Sequence, residues 1–294
     1  LQGDVGSGKT VVALEAMLVA VEAGAQAALL APTEILARQH HATLQTMLTG
    51  TGVEVALLTG RDKGRPRESI LMGLVDGSID IVVGTHAIFQ DSVSYRNLAL
   101  VVIDEQHRFG VGQRLMLTQK GRRTPHCLAM TATPIPRTLT LAQYGEMDVS
   151  RLDELPPGRQ AIDTRVIAVE RIGDVVGALA RHVAGGGQAY WVCPMVHENE
   201  TDDLAAAEAR AAELKVRFGD DVVLVHGQLR PEAKDAAMER FARGQAKVLV
   251  ATTVIEVGVD VPNATLMIIE QAERFGLAQL YQLRGRVGRS KLRA

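Results

Sequence analysis

Short, continuously apolar runs recur along the chain, and segments with helical spacing lie between them. Runs such as Ala27–Ala31 and Leu98–Ile103 lack the polar–apolar alternation of a strand with one exposed face. Such runs are typical of parallel strands that are covered on both sides. Their alternation with helical segments such as Glu34–Met47 therefore predicts an α/β fold, with a mostly parallel sheet and helices on both faces.

The same order of elements continues through the rest of the chain. The other predicted strands are Val53–Leu58, Ile79–Val83, His126–Met130, Ala161–Val169, Gln188–Cys193, Val222–Val225, Lys247–Ala251 and Thr265–Glu270. The other predicted helices are Arg67–Leu74, Asp203–Phe218 and Pro231–Ala242.

The order of elements is interrupted once, where Pro156 and Pro157 are followed by Gly158. Two consecutive prolines cannot continue a helix or a central strand. We therefore predict two tandem α/β domains, residues 1–150 and 163–294, joined by a linker of residues 151–162. The length of 294 residues suits two domains of about 150 residues each.

The composition is that of a soluble globular protein, with 47% hydrophobic and 22% charged residues. The formal net charge of −2 shows no overall basic excess, although a local cationic groove is compatible with such a balance. Cys127 and Cys193 lie in apolar runs, which predicts buried free thiols. The most apolar stretch, residues 11–31, is interrupted by Glu15 and Glu22, so no membrane span is predicted.

Residues 3–10, GDVGSGKT, match the phosphate-loop pattern G-x-x-x-x-G-K-T in full. In this pattern glycines let consecutive backbone N–H groups converge on phosphate oxygens, Lys9 reaches the β and γ phosphates, and Thr10 ligates Mg²⁺. The alternative is an ordinary glycine turn before a helix. The strand before the loop is reduced to Leu1–Gln2, and we expect a domain truncated at its N-terminus. The predicted phosphate-binding residues are Gly3, Asp4, Val5, Gly6, Ser7, Gly8, Lys9 and Thr10.

Two adjacent carboxylates, Asp104 and Glu105, follow the apolar run that ends at Ile103. In phosphate-loop enzymes an acid at the end of a neighbouring strand helps to hold Mg²⁺. We therefore predict Asp104 as a magnesium ligand and Glu105 as the group that polarises the attacking water. The alternative is an acidic pair at a helix N-terminus.

Several motifs together resemble a known family. DEQH at 104–107, TAT at 131–133 and QLRGRVGR at 282–289 look like the motifs of superfamily 2 helicases and translocases. The longer strings GDVGSGKT, DEQHRFGVGQR, MTATPIPRTL, DELPPGR, YWVCP and ERFGLAQLYQLRGRVGR closely resemble the motor of the bacterial RecG family. The motor of the transcription-repair coupling factor is similar in these regions, but Gln106 and the YWVCP string favour RecG.

The resemblance implies two RecA-like P-loop domains and assigns roles to residues that match its motifs. Gln282, Arg286 and Arg289 would close on ATP, the two arginines as arginine fingers; the alternative is a solvated basic stretch. Residues implied to couple hydrolysis to domain movement are Gln106, His107, Thr131 and Thr133, although the two threonines also suit a helix cap. Residues 252–262 match a motif that touches both the nucleotide and the nucleic acid, with Gly258 and Asp260 as the contacts; the alternative is a strand-edge loop.

The resemblance also implies a track for the nucleic-acid backbone. The matching residues are Pro32, Thr33, Thr85, His86, His226 and Gly227. Neutral groups of this kind suit phosphate contact without base readout, and an aromatic content of 3% argues against base stacking. His86 taken alone equally suits a packed or surface histidine.

The function that the resemblance implies is an ATP- and Mg²⁺-dependent DNA helicase and duplex translocase. It would remodel stalled forks and branch-migrate Holliday junctions as a monomeric, cytoplasmic, nucleoid-associated motor with one ATP per chain. The family places a wedge domain before the motor and a helical element after it. Neither is recognisable in residues 1–294, so we expect this chain alone to bind nucleotide but to split branched DNA poorly. The alternatives are a coupling-factor-type translocase and a nucleotide switch without motor activity.

Overall fold

The computed structural model describes residues 1–4, 6–105, 124–132, 148–154, 162–194, 200–252, 261 and 263–288. The chain divides into two compact units, Leu1–Glu154 and Leu155–Ala294. The strands of the first unit are β1 (Gln2–Gly3), β2 (Gln26–Leu30), β3 (Val55–Leu58), β4 (Ile81–Gly84), β5 (Leu98–Ile103), β6 (His126–Ala129) and β7 (Arg151–Leu152). Its helices are α1 (Lys9–Glu22), α2 (Glu34–Met47) and α3 (Gly64–Asp76), with a 3₁₀ turn at His86–Phe89.

The first unit is built on a parallel sheet with the strand order β3-β4-β2-β5-β6. The central strand β2 is buried along its whole length. Ala28 and Leu30 pack with Leu74 of α3 in one cluster, and the alternating Ala27 and Leu29 are equally inaccessible. Successive side chains of a strand point to opposite faces, so the sheet is covered on both sides, as its continuously apolar strands predict.

A short additional pair of strands carries the N-terminal residues of the first unit. Strand β1 pairs in parallel with β7, with Gln2 opposite Arg151 and Gly3 opposite Leu152. Gln2 also forms a bridge with Thr131, just beyond β6. Strand β1 therefore lies between the end of β6 and β7, and it delivers the following loop to the carboxyl ends of the main strands.

The second unit repeats this plan. Its strands are β8 (Gln188–Val192), β9 (Val222–Val225), β10 (Val248–Ala251) and β11 (Ala264–Ile269), arranged in the order β11-β8-β10-β9 with parallel pairing. Its helices are α4 (Ile172–Ala184), α5 (Glu200–Phe218), α6 (Pro231–Ala242) and α7 (Leu277–Arg284). Short 3₁₀ turns lie at Val169–Arg171, Gly219–Asp221 and Ala272–Arg274.

Both faces of the second sheet are covered by helices. Tyr190 and its same-face neighbours pack with Phe241 of α6 and Leu283 of α7. Trp191, on the opposite face, packs with Leu179 of α4 and with the apolar side of α5. The alternation of Tyr190 and Trp191 between two cores explains why the run Gln188–Val192 is apolar throughout.

A buried glutamine begins the central strand of each unit. The side-chain amide of Gln26 donates to the carbonyls of Leu74, at 3.1 Å, and Ile79, at 2.8 Å. In the second unit the amide of Gln188 donates to the carbonyls of Phe241, at 2.6 Å, and Ala246, at 2.9 Å. In both units the amide satisfies carbonyls where a helix gives way to the next strand, groups that would otherwise be buried without a partner.

The structure departs from the sequence predictions in three places. Residues 162–168 form no strand, and Val166 is fully exposed; apolar, β-branched composition alone misled the prediction of the strand Ala161–Val169. Cys127 is exposed, whereas Cys193 is buried as predicted. The predicted linker of residues 151–162 begins too early, because Arg151 and Leu152 pair with β1 in the first unit.

Candidate active site

The phosphate loop connects β1 to α1, as the G-x-x-x-x-G-K-T pattern requires. Gly6 has φ 81° and Gly8 has φ 94°, backbone conformations that side-chain-bearing residues rarely adopt. Lys9 and Thr10 form the first turn of α1. The unsatisfied N–H groups of that turn therefore face the loop, which makes the helix N-terminus a site for an anion.

The loop folds back closely onto its own strand at Gly3. A Cβ atom placed on Gly3 would lie 2.4 Å from Ser7 Oγ and 3.0 Å from the Cβ of Leu152 on β7. A side chain at this position would force Ser7 and β7 to shift, so glycine favours the tight return of the backbone. Val5, also predicted to bind phosphate, lies outside the described residues.

The side chain of Lys9 turns back into the loop. Its Nζ atom donates to the carbonyl of Gly3, at 2.7 Å, and to the carbonyl of Asp4, at 2.8 Å. The ammonium is therefore held by the backbone at the start of the loop. A fixed ammonium beside a helix N-terminus suits the phosphates of a nucleotide.

Asp104 lies at the carboxyl end of β5, where its N–H donates to the carbonyl of Leu30 on β2. Its Oδ1 accepts from the Glu105 N–H at 3.0 Å, and its Oδ2 lies 2.8 Å from Nε2 of His40. Burial alone would raise the pKa of Asp104, but the hydrogen bond and charge of His40, with the charge of Lys9, hold that pKa below its usual value. Asp104 is therefore an ionised carboxylate within the electrostatic reach of the phosphate loop.

Glu105 adopts a left-handed backbone conformation, with φ 50°. This conformation is costly for a residue with a side chain, and such strained residues cluster at functional sites. The carboxylate of Glu105 is partly buried.

Thr131 is brought beside the phosphate loop. Its carbonyl accepts a hydrogen bond from the N–H of Gly3 at 3.3 Å, and the residue is buried. This contact joins the TAT motif to the first residue of the loop. The other residues implied to couple hydrolysis to movement, Gln106, His107 and Thr133, lie outside the described residues, as do Gly258 and Asp260.

The first unit offers a donor set that fits a magnesium–nucleotide complex. Among the described residues no group of three His, Cys, Asp or Glu side chains could hold a metal ion by itself. Mg²⁺ at nucleotide sites needs only one or two protein oxygens, since substrate phosphates and water complete its octahedron. The carboxylate of Asp104 and the hydroxyl of Thr10 are oxygen donors of the required kind.

In the second unit the QLRGRVGR motif covers the end of α7 and the turn that follows it. Gln282 and Arg286 are buried, with 5% and 9% of their surfaces exposed. Arg284 is exposed, and its guanidinium lies over the ring of Tyr281 at 5.1 Å. Arg284 thus fits the solvated alternative, whereas Arg286 does not. Arg289 lies outside the described residues.

The residues predicted to contact DNA from the first unit follow the carboxyl ends of β2 and β4. Thr33 is the N-cap of α2, and its hydroxyl accepts from the Leu36 N–H at 3.4 Å. Thr85 is buried and His86 is exposed, at the start of a 3₁₀ turn. Pro32 is partly buried beside Thr33. Neighbouring parallel strands end at the same edge of a sheet, so these residues share that edge with Asp104.

In the second unit His226 and Gly227 follow β9. His226 is buried, and among the described atoms its Nδ1 has no hydrogen-bond partner. Burial lowers the pKa of His226, so the imidazole is neutral at pH 7. Gly227 is exposed and offers its backbone for contact.

Two features escaped the sequence prediction. His40, which contacts Asp104, lies 64 positions earlier in the chain, and no local motif links the two. The run RDKGRPR at 61–67 places four cations after β3 at the same sheet edge. Its basic composition is a visible signal for phosphate binding. Of these cations, Arg61 forms an ion pair with Glu34 at 2.7 Å.

Comparison with known proteins places both units among helicases. Residues 1–141 match the DEAD/DEAH box helicase family, and residues 170–291 match the helicase conserved C-terminal domain. The ATP-dependent DNA helicase RecG of Pasteurella multocida is 53% identical over 98% of this chain, and that of Escherichia coli K12 is 52% identical over 98%. A solved structure of RecG bound to a three-way DNA junction is 46% identical and superposes with a TM-score of 0.81 over 98% of this chain and 38% of that one.

These similarities confirm the predicted fold class, two tandem RecA-like domains with parallel sheets and helices on both faces. The chain spans 42% of the length of the two RecG relatives. No helix in the described part of the chain is long and apolar enough to cross a membrane.

Proposed function

Since the chain belongs to the RecG family of superfamily 2 helicases, we propose that it is the ATP-hydrolysing motor of a DNA helicase that translocates on duplex DNA. The observation that carries this proposal is the electrostatic interaction between the phosphate loop and Asp104. Lys9 is held in the loop by two carbonyls, and its charge acts on the ionised carboxylate of Asp104. A switch protein needs the same loop, so the proposal also depends on the relatives named as DNA helicases.

In this proposal the first unit binds the triphosphate of ATP. The backbone of residues 3–8 and the first turn of α1 surround the phosphates, and Lys9 adds a positive charge beside them. Thr10 and Asp104 would hold Mg²⁺, which when bound neutralises phosphate charge and favours cleavage of the terminal bond. Glu105 accepts a proton from the attacking water.

The second unit supplies positive charge, which stabilises the negative charge that develops on the phosphate during hydrolysis. Arg286 and Arg289 act as arginine fingers, since a planar and permanently charged guanidinium stabilises the transferring phosphoryl group. Gln282, on α7, closes on ATP together with them. Gly258 and Asp260 contact the same nucleotide. Nucleotide binding then draws the two units together and hydrolysis releases them, which moves the protein along DNA.

We infer that the carboxyl edge of each sheet holds the DNA backbone. Pro32, Thr33, Thr85 and His86 contribute from the first unit, and His226 and Gly227 from the second. Contacts of this kind hold any sequence, as a translocase requires. The basic run 61–67 lies at the same edge of the first sheet. It adds local positive charge for the DNA phosphates, although the net charge of the chain is −2.

We further propose that the substrate is branched DNA, such as stalled forks and Holliday junctions, and that the motor is monomeric, cytoplasmic and associated with the nucleoid. What supports the branched substrate is the related structure, which is of RecG bound to a three-way DNA junction. The similarity covers 98% of this chain and 38% of the chain in that structure.

The test is the rate of ATP hydrolysis by the purified protein without DNA and with branched, linear duplex and single-stranded DNA. The expected result is hydrolysis that requires Mg²⁺ and is stimulated most by branched or duplex DNA. Slow hydrolysis that DNA does not change would instead identify a nucleotide switch. A coupling-factor-type translocase would show stimulation by duplex DNA together with displacement of a stalled RNA polymerase, which the present proposal does not predict.

A further inference from the structure

His40 lies on the same side of α2 as the residues that pack this helix onto the sheet. Helix α2 begins after the Thr33 cap, and Leu36, Ala37 and Leu44 are buried. His40 lies three residues after Ala37 and four before Leu44, which is the spacing of neighbours on one helix face. The packing that anchors α2 therefore also determines where the imidazole of His40 lies.

The imidazole reaches Asp104 directly. Nε2 of His40 lies 2.8 Å from Oδ2 of Asp104, and only 12% and 13% of the two side chains are exposed. The contact joins residues that are far apart in sequence, on α2 and at the end of β5. A hydrogen bond of this length in a largely buried site restricts both side chains far more than an exposed ion pair would.

Together the contacts of Asp104 define the orientation of its carboxylate. Oδ1 accepts from the Glu105 N–H at 3.0 Å, and Oδ2 accepts from His40 at 2.8 Å. A carboxylate has about four lone-pair directions, so each oxygen retains one for a further ligand. Removal of His40 would leave Oδ2 without this contact, and the Glu105 N–H alone would then restrict rotation of the carboxylate about its Cβ–Cγ bond.

We propose that His40 is a positioning residue, which orients the Asp104 carboxylate for the magnesium ion of the bound nucleotide. This inference rests on the proposed function, because it assigns a task to His40 only if Asp104 meets a metal–nucleotide complex. Groups that hydrogen-bond to metal ligands typically change metal affinity or activity by about 10- to 100-fold when they are removed. The alternative is that the contact between His40 and Asp104 serves stability alone.

The chain provides a matched control for this test. His41 is the next residue of α2, and its Nε2 lies 3.3 Å from the carbonyl of Val55 rather than from Asp104. We would compare His40→Ala, His40→Gln and His41→Ala with the unmodified protein. Binding of a fluorescent ATP analogue is titrated at a series of Mg²⁺ concentrations and again in EDTA, and heat denaturation is followed without nucleotide.

His40→Ala is expected to raise the Mg²⁺ concentration for half-maximal nucleotide binding by about 10-fold or more, with unchanged binding in EDTA. His40→Gln should recover part of this loss, because its amide N–H can still donate to Oδ2. His41→Ala should keep the Mg²⁺ requirement of the unmodified protein.

Two results would overturn the inference. One is an unchanged Mg²⁺ requirement in His40→Ala; the other is an equal loss of binding with and without Mg²⁺, which a purely structural role would produce. Failure of the proposed function has a different signature, since the unmodified protein would then show no Mg²⁺-dependent nucleotide binding at all.

Discussion

A methyl group added at Gly3 should weaken nucleotide binding, because it would contact two neighbouring segments of the first unit. In Gly3→Ala the new Cβ would lie 2.4 Å from Ser7 Oγ, 3.0 Å from the Cβ of Leu152 and 3.4 Å from the Leu152 carbonyl oxygen. The Ser7 hydroxyl is the end of a short side chain and can rotate. The Cβ of Leu152 belongs to a paired strand and cannot move without β7.

The expected magnitude follows from these contacts. An extra methyl group in a tightly packed region costs about 1–3 kcal/mol, which corresponds to a change of about 5- to 150-fold in an equilibrium constant. The cost falls partly on the loop conformation that receives phosphate, because the contact with Ser7 arises from the return of the loop over β1, and partly on the pairing of β1 with β7, which holds Leu152 beside Gly3. Gly3→Ala should therefore weaken nucleotide binding by a factor in this range and lower the melting temperature.

The assay is equilibrium binding of a fluorescent ATP analogue, with heat denaturation of the same samples. The double variant Gly3→Ala/Ser7→Ala removes the 2.4 Å contact but keeps the contact with Leu152, so it should bind with intermediate affinity. Gly173→Ala is the control, because a Cβ on Gly173 meets nothing within 4 Å. Binding by Gly3→Ala within twofold of the unmodified protein, or no recovery in the double variant, would refute this reasoning.

Two further predictions concern Lys9 and His226. Lys9→Ala removes the ammonium that the carbonyls of Gly3 and Asp4 hold, and it should lower ATP turnover at least about 10²-fold. The measurement is the rate of phosphate release under saturating DNA, and a rate near that of the unmodified protein would contradict the prediction. Burial lowers the pKa of His226 from 6.5, so the unfolded chain binds more protons below that pH and stability falls as the solution is acidified. The test compares the urea midpoints of unfolding at pH 7.5 and 5.5, two values that bracket the ordinary pKa of about 6.5. The two midpoints should differ less in His226→Asn than in the unmodified protein; an equal difference would show that other groups cause the loss of stability in acid.

Regular elements whose signal is local were predictable from the sequence. The helix Glu34–Met47 and the strand Leu98–Ile103 have the predicted bounds, because a cap or a continuous apolar run marks them. The strand Ala161–Val169 was wrong over its described part, because β-branched residues indicate a strand only where a neighbouring strand or a core receives them. The sequence contains no direct signal for such a neighbour.

The candidate site shows the same division between local and distant information. The loop of residues 3–10 and the end of β5 were predictable, since each is one contiguous motif. His40 was not, because its contact with Asp104 depends on the packing of α2 against β3 and β4. The pairing of β1 with β7 and the contact of Gly3 with Thr131 likewise join segments that only the fold brings together.

The most direct test of the motor is whether an arginine of the second unit acts on the nucleotide bound by the first. Arg289→Ala is compared with Arg284→Ala, since Arg284 is exposed beside Tyr281, and both ATP affinity and single-turnover hydrolysis are measured with branched DNA present. We expect Arg289→Ala to bind ATP normally and to hydrolyse it about 10³-fold or more slowly, while Arg284→Ala behaves as the unmodified protein. Normal hydrolysis by Arg289→Ala would contradict a nucleotide shared between the two units.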